Sequence, residues 1–187
     1  MQELALNILD IVQNSIRAGA TLTEIDVSVV AGILRISIKD NGCGMSPEFL
    51  AKVTDPFTTS RTTRKVGMGL PLLKMGAEGS GGSFEITSKE GVGTTVTTTY
   101  RVDHIDRMPL GDVADTVASL ILTAPDRDFT LNYTVDGKNY CFDTREVRTA
   151  LSPDDPASAP LDDLELNQWI RSTISENITE INGGIQL

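Results

Sequence analysis

Residues 25–38 hold the pattern that most limits the fold. Ile25, Val27 and Val29 alternate with Asp26 and Ser28, and Leu34, Ile36 and Ile38 alternate with Arg35, Ser37 and Lys39. Ala31-Gly32 separates the two runs, so the period of two predicts a β-hairpin with a single apolar face. Such a face needs a second layer to cover it. The preceding segment supplies one. Leu4, Ile8, Ile11, Val12 and Ile16 recur at helical spacing over residues 3–18, and Gly19 is placed to end the helix.

The rest of the first hundred residues repeats this alternation of layers. Asp40-Asn41-Gly42-Cys43-Gly44 reads as a loop, and a short helix starts after Ser46 with Pro47 and Glu48 in its first turn. Residues 54–66 lack an apolar period and read as an irregular, mobile thread. Gly67-Met68-Gly69 opens a helix through about residue 75. GSGG at 79–82 reads as a flexible connection, and residues 83–88 and 94–100 as strands joined by KEGVG. Helices on one face of a sheet make this an α+β chain, a two-layer α/β sandwich over residues 1–101.

Beyond Arg101 the sequence predicts a small α+β C-terminal appendage. Residues 112–123 are helical by period, and Asp136-Gly137 between two β-rich runs signals a tight hairpin. A short helix, REVRTAL, closes a unit spanning 102–151. SPDDPASAP (152–160) has the composition of a linker. Residues 161–187 form a terminal amphipathic helix with Leu161, Leu164, Ile170, Ile174, Ile178 and Ile181 on one side; the sole tryptophan, Trp169, is expected to pack it onto the body, with a partner or dimer interface as the alternative.

Composition removes several classes of function. A formal net charge of -10 opposes binding to a phosphate backbone, which depends on clustered Lys and Arg. No run of about 18 apolar residues is present, so no membrane span is expected. The N-terminus has no basic region before an apolar core, unlike a signal peptide. Cys43 and Cys141 therefore read as free thiols of a cytoplasmic protein, and with the lone His104 they are too few for a zinc site.

Four features carry chemistry. Glu3, Asn7, Asp10, Asn14 and Arg17 share one helix face, at spacings of three and four. The Asn14 amide oxygen is a neutral hard donor suited to Mg²⁺ held on phosphates, Asp10 is a candidate base, and Arg17 a phosphate contact. In DNGCGM, Asp40 ends a strand, and Gly42 and Gly44 let the backbone approach a flat ligand. Gly67-Met68-Gly69-Leu70 opens a helix behind Arg61, Arg64 and Lys65, and exposed N–H groups at a helix start favour phosphate. No Walker pattern or GxGxxG is present. Gly91-Val92-Gly93-Thr94-Thr95 turns between the last two strands of this half. Singly, these are also a solvated helix face, an Asx turn, a loop entry and a hairpin turn.

Their order is more specific. Polar helix, strand, DNGCGM, basic thread, GMGL, strand and GVGTTV over residues 1–101 resembles the GHKL superfamily of ATPases, also called the Bergerat or histidine-kinase-like ATPase fold. The resemblance implies ATP and Mg²⁺ as ligands. Asn14 takes the place of the Mg²⁺-binding Asn, and Asp40 that of the Asp contacting the adenine amine, with Gly42, Gly44 and Met45 shaping that wall. Pro56-Phe57-Thr58-Thr59 resembles the kinase motif that starts the ATP lid, which Arg61, Arg64 and Lys65 continue. Gly67, Met68, Gly69 and Leu70 match the second glycine box, and Gly91, Gly93 and Thr94 the final Gly-Thr motif, with Thr95 adding an adenine-side hydrogen bond.

Three activities are compatible with these residues. NSIRAGAT resembles mismatch-repair and gyrase members, whereas FTTSRTTRKVGMGLPLLK and GVGTTVTTTY resemble sensor and anti-sigma-factor kinases. The reading preferred on sequence is a soluble kinase acting on a separate protein at His or Ser. A switch that hydrolyses ATP with Asp10 as base is an alternative, although hydrolytic members carry Glu there, one methylene longer, and phosphoryl transfer needs mainly positioning and charge neutralisation. A non-catalytic ATP or ADP sensor is another. With the domain read as starting at residue 3, no helix pair carrying a phosphoacceptor is expected before it, and His104 reads as an interdomain linker or packing residue. A protein partner is expected, a homodimer is open, and neither nucleic acid nor membrane is expected. The charge divides sharply. Residues 1–101 hold 10 acidic and 10 basic side chains, and residues 102–187 hold 16 acidic against 6 basic. A partner meeting the second half should therefore be basic.

Overall fold

The structure, a computed structural model, describes residues 3–53, 69–185 and 187. The elements follow the expected order: α1 (Leu4–Arg17), β1 (Leu22–Val30), β2 (Ile33–Asp40), α2 (Pro47–Leu50), α3 (Gly69–Gly79), β3 (Phe84–Lys89) and β4 (Gly93–Arg101). They continue as α4 (Val113–Thr123), β5 (Asp128–Val135), β6 (Lys138–Asp143), α5 (Thr144–Leu151), a 3-10 turn at Pro156–Ser158, and α6 (Leu164–Asn182). The strands form one six-stranded sheet in the order β3-β4-β2-β1-β5-β6. Every neighbouring pair is antiparallel except β1 with β5, which is parallel. A parallel neighbour requires a crossover, and α4 provides it.

The hairpin has the turn its sequence demanded. Ala31 and Gly32 both have positive φ, 50° and 76°, as a two-residue turn matched to strand twist requires. Opposed pairs Ile25–Ile38, Val27–Ile36 and Val29–Leu34 then share a face, and all six side chains are buried. β4 adds Val96, Thr98 and Tyr100, and β5 adds Phe129, Leu131, Tyr133 and Val135 to the same face. Helices α1, α3, α4 and α6 cover it. The opposite face carries cross-strand polar pairs: Ser37 with Thr97 at 3.0 Å, Lys39 with Glu24 at 2.6 Å, and Asn132 to Asp26 at 2.9 Å. The two-layer sandwich thus follows from one apolar and one polar sheet face.

Residues after 101 are built into this core. β5 extends the sheet at β1, and the carbonyls of Pro109 and Leu110 accept from the N–H groups of Leu4 and Ala5 at 2.9 and 2.8 Å. Glu3 makes no side-chain cap, so these downstream carbonyls satisfy donors that a helix start leaves open. The stretch 152–160, expected as a linker, forms the 3-10 turn and buries Ala159, with Leu161 fully buried just beyond. GSGG at 79–82 is likewise ordered: the Ser80 hydroxyl is buried on the carbonyls of Gly76 and Ala77 at 2.9 and 3.0 Å.

The terminal helix differs from expectation in its start. Asp163 caps it by accepting from the Leu166 N–H at 2.8 Å, so Leu161 precedes the helix and Leu164 falls on its outer side, 65% exposed. Ile170 and Ile174 form the buried seam. Trp169, expected to pack inward, is 57% exposed, because one residue before Ile170 lies about 100° around the helix from that seam.

Candidate functional site

The candidate residues gather at one end of the sheet, where α1 finishes and β2 ends. α1 terminates in a doubly bonded cap: Gly19, at φ 79°, donates to Ile16 O at 3.0 Å and Ala20 to Ser15 O at 3.1 Å. The polar stripe of α1 runs from core to rim. Asn7 is buried, Asp10 and Asn14 are half-buried, and Arg17 is exposed. Arg17 Nη1 donates to Asn14 Oδ1 at 3.2 Å. Asp10 lies against the first residue of α3, since a Cβ on Gly69 would collide with Asp10 Oδ2. A Cβ at 69 would push the Asp10 carboxylate aside, so glycine there lets that carboxylate rest against the start of α3.

Asp40 is the centre of the arrangement. Its Oδ2 accepts from the Ser15 hydroxyl at 2.7 Å. Its Oδ1 accepts from the Gly42 N–H at 2.9 Å and the Thr94 N–H at 3.3 Å. One carboxylate therefore joins α1, the DNGCGM loop and the start of β4. The register explains the contact: Asp40 pairs with Thr23 on β1 and Thr94 on β4, one row beyond the buried Ile38–Val96 pair. It thus sits on the helix-covered side, at the end of the apolar core.

The loop around it is laced to both neighbours. Cys43 donates its N–H to Ala18 O at 2.9 Å and accepts from the Gly91 N–H at 2.8 Å. Gly44, at φ 66°, and Gly93, at φ 135°, pass so close to the backbone at Lys89 and Asp40 that a Cβ at either would clash. The Met45 N–H donates to Ser88 Oγ at 2.9 Å, and Ser88 also bonds Gly93 O at 3.0 Å and meets the Thr94 hydroxyl at 2.9 Å.

Asn14, Arg17, Asp40, Gly42, Gly44, Met45 and Thr94 are thus found around one end of the sheet, while Gly69 meets Asp10 one turn back along α1 and Leu70 packs against the core. Thr95 is not with them. It opposes Lys39 and points to the polar face, because neighbouring strand residues alternate sides. Phe57, Thr58, Thr59, Arg61, Arg64, Lys65, Gly67 and Met68 lie outside the described residues. His104 is half-buried in a turn, where its Nδ1 accepts from the Asp106 N–H at 3.2 Å. Ser15, Ser88 and Asn41 were missed on sequence. Ser15 is buried beside Asn14 and holds Asp40. Asn41 Oδ1 accepts from Thr21 and Leu22 N–H at 2.9 and 3.0 Å and fixes the loop to β1. For Ser15 a signal existed: it lies within the apolar stripe of α1, between the Leu4, Ile8 and Ile11 positions, a hydroxyl where an apolar side chain is expected.

The donors suit a metal carried by its ligand. Asn14 Oδ1 and the Asp10 carboxylate are hard oxygens one helical turn apart, too few to enclose Mg²⁺ but enough to complete a shell that phosphate oxygens and water begin.

Residues 2–104 match the family described as histidine kinase-, DNA gyrase B-, and HSP90-like ATPase. The chain is 34% identical over 117 residues to the sensor histidine kinase WalK of Bacillus subtilis, spanning 56% of this chain and 19% of WalK. It is 31% identical over 115 residues to the non-motile and phage-resistance protein of Caulobacter vibrioides, spanning 57% of this chain and 14% of that protein. It therefore spans less than a fifth of the length of these relatives. Among solved structures, the N-terminal domain of a DNA repair protein superposes with a TM-score of 0.53 at 17% identity, covering 75% of this chain and 52% of that one, a likeness of fold. With its motifs gathered at one sheet end and more than half its length matched, the chain belongs to the histidine kinase-, DNA gyrase B- and HSP90-like ATPase family.

Proposed function

We propose that the protein binds ATP with Mg²⁺ at this sheet end and transfers the γ-phosphoryl group to a His or Ser of a separate protein. Family membership supports ATP binding. The observation that carries the site is Asp40, held by donors from three of the four motifs. Its carboxylate is oriented before any ligand arrives, and a carboxylate can accept from an exocyclic adenine amine. Asn14 would hold Mg²⁺, which neutralises charge on the phosphates when bound. Arg17 would leave Asn14 Oδ1 to meet a phosphate oxygen. Transfer to a partner needs positioning and charge neutralisation more than a strong base, and this set of residues supplies those. The reading places the protein in the cytoplasm with its ATP. No described helix is long and apolar enough to cross a membrane.

A second reading, hydrolysis with Asp10 as base, draws on Asp10 lying one turn before Asn14 and against the start of α3. Incubation with γ-labelled ATP and candidate partner proteins separates the two. Label on the partner supports transfer. Free phosphate from the protein alone, abolished in Asp10→Asn, supports hydrolysis. Nucleotide bound with neither product contradicts both and leaves a sensor.

A further inference from the structure

The exposed Trp169 stands in a defined charge setting. On α6, at about 100° per residue, Glu165, Trp169, Glu176 and Glu180 fall within an arc of about 60° on the side away from Ile170 and Ile174. All four side chains are exposed. The stripe runs about 22 Å along the helix from Glu165 to Glu180. The single cation of α6, Arg171, is turned away to α4, where it pairs with Asp112 at 3.3 Å and Asp115 at 3.1 Å. Among the described residues no cation pairs with Glu165, Glu176 or Glu180. Three of the 16 acidic side chains of residues 102–187, a segment with only 6 basic ones, therefore stand here beside a large aromatic surface.

Burial does not explain the tryptophan. The helix is anchored by Ile170 and Ile174, both fully buried. An indole left in water at a helix surface loses the burial that favours it, and aromatic residues are enriched where proteins meet. The charges then select the occupant. A second copy of this chain laid on the same face would oppose carboxylate with carboxylate. Nucleic acid and anionic lipid are repelled by the same groups and by the net charge of -10. A guanidinium or ammonium is attracted by both parts of the stripe, stacking on the indole face and pairing with the flanking carboxylates.

We infer that the outer stripe of α6 is a docking surface for a basic, arginine-bearing segment of a partner protein. The surface is built from residues outside the ATP site, so it can be disabled without touching nucleotide binding. Arginine is favoured over lysine because its planar group both stacks and forms paired hydrogen bonds.

The test uses the full chain and a helical 16-residue peptide free of Trp and Tyr, with Arg at every fourth position on an Ala and Gln background. Lys and Glu versions serve as comparisons. Trp169 is the only tryptophan, so its emission reports the contact directly. The Arg peptide is expected to change that emission saturably, the Lys peptide more weakly, and the Glu peptide not at all. Glu165→Gln, Glu176→Gln and Glu180→Gln together should weaken the Arg peptide at least tenfold. Asp126→Asn, Asp136→Asn and Asp154→Asn together remove the same charge elsewhere and should weaken it less than threefold. Trp169→Ala, read by calorimetry, should weaken it at least fivefold, with Trp169→Phe intermediate. ATP affinity should be unchanged in every α6 variant. The inference is overturned if the two triple variants weaken binding equally, if Trp169→Ala binds as tightly as wild type, or if no saturable change in emission occurs. Self-association that the Glu→Gln triple variant abolishes would also overturn it, in favour of a second copy.

Discussion

At the scale of single residues, the structure contrasts two tyrosines of nearly equal burial. Tyr100 and Tyr133 are both fully enclosed, and burial pushes both phenols up in pKa. The Tyr133 hydroxyl donates to Asn182 Oδ1 at 2.9 Å. The Tyr100 hydroxyl has no hydrogen-bond partner among the described residues, and neither has the Asn7 amide nitrogen in the same core. An unmet buried hydroxyl costs stability, whereas a met one contributes about 1 kcal/mol. Tyr100→Phe should therefore raise the unfolding free energy by about 1 kcal/mol, and Tyr133→Phe should lower it by a similar amount. Urea denaturation of both variants checks the contrast, and equal changes of one sign would contradict it. Asp40 stood out in the sequence through the order of the four motifs, since alone Asp-Asn-Gly is equally an Asx turn. Ser15 was marked only as a hydroxyl within an apolar stripe; its partner was not legible, because that side chain is 25 positions away. The side of the sheet that Thr95 faces depends on strand register, which motif spacing alone leaves open.

At the scale of elements, local signals carried well where both ends were marked. The Ala31-Gly32 and Asp136-Gly137 turns and the Ser46-Pro47 helix start were legible because each is fixed within four residues. The start of α6 was not, since apolar spacing continued through Leu161 while the Asp163 cap set the boundary. Asp143 plays the same capping role for α5, accepting from the Arg145 N–H at 2.8 Å and pairing with its guanidinium. The Arg145 hydrogen bond holds the Asp143 carboxyl below its usual pKa. A group depressed in the folded state stabilises above its unfolded pKa of about 3.9 and loses that contribution as pH falls through the lower folded value. Asp143→Ala should cost about 1 kcal/mol at neutral pH, with the difference from wild type shrinking as the pH is taken below about 4. Denaturation across a pH series measures this. A difference that stays constant into acid would mean the cap acts without its charge.

At the scale of the whole molecule, the family match ends at residue 104 but the folding unit does not. Sequence composition changes sharply there, which is why the second half read as an appendage. Pairing of β5 with β1 and the Pro109 and Leu110 carbonyls over the α1 start are contacts between distant segments that no local pattern reveals. A chain cut after residue 104 should lose cooperative unfolding, since it exposes β1 as an edge and removes Val117, Leu120, Ile121, Phe129 and Leu131 from the core. Circular dichroism with thermal melting tests this, and a sharp native-like transition in the fragment would refute it. The central claim is that Asp40 anchors an adenine nucleotide at the sheet end. Asn at position 40 keeps the oxygen that Gly42 and Thr94 bond, so the fold should survive while the charge-assisted contact is lost. Isothermal titration of Mg²⁺–ATP into wild type and Asp40→Asn is the most direct measurement. Binding by wild type and affinity at least about tenfold weaker in the variant, at equal thermal stability, is the predicted result. Equal affinity in the two proteins, or no binding by wild type, would contradict the account.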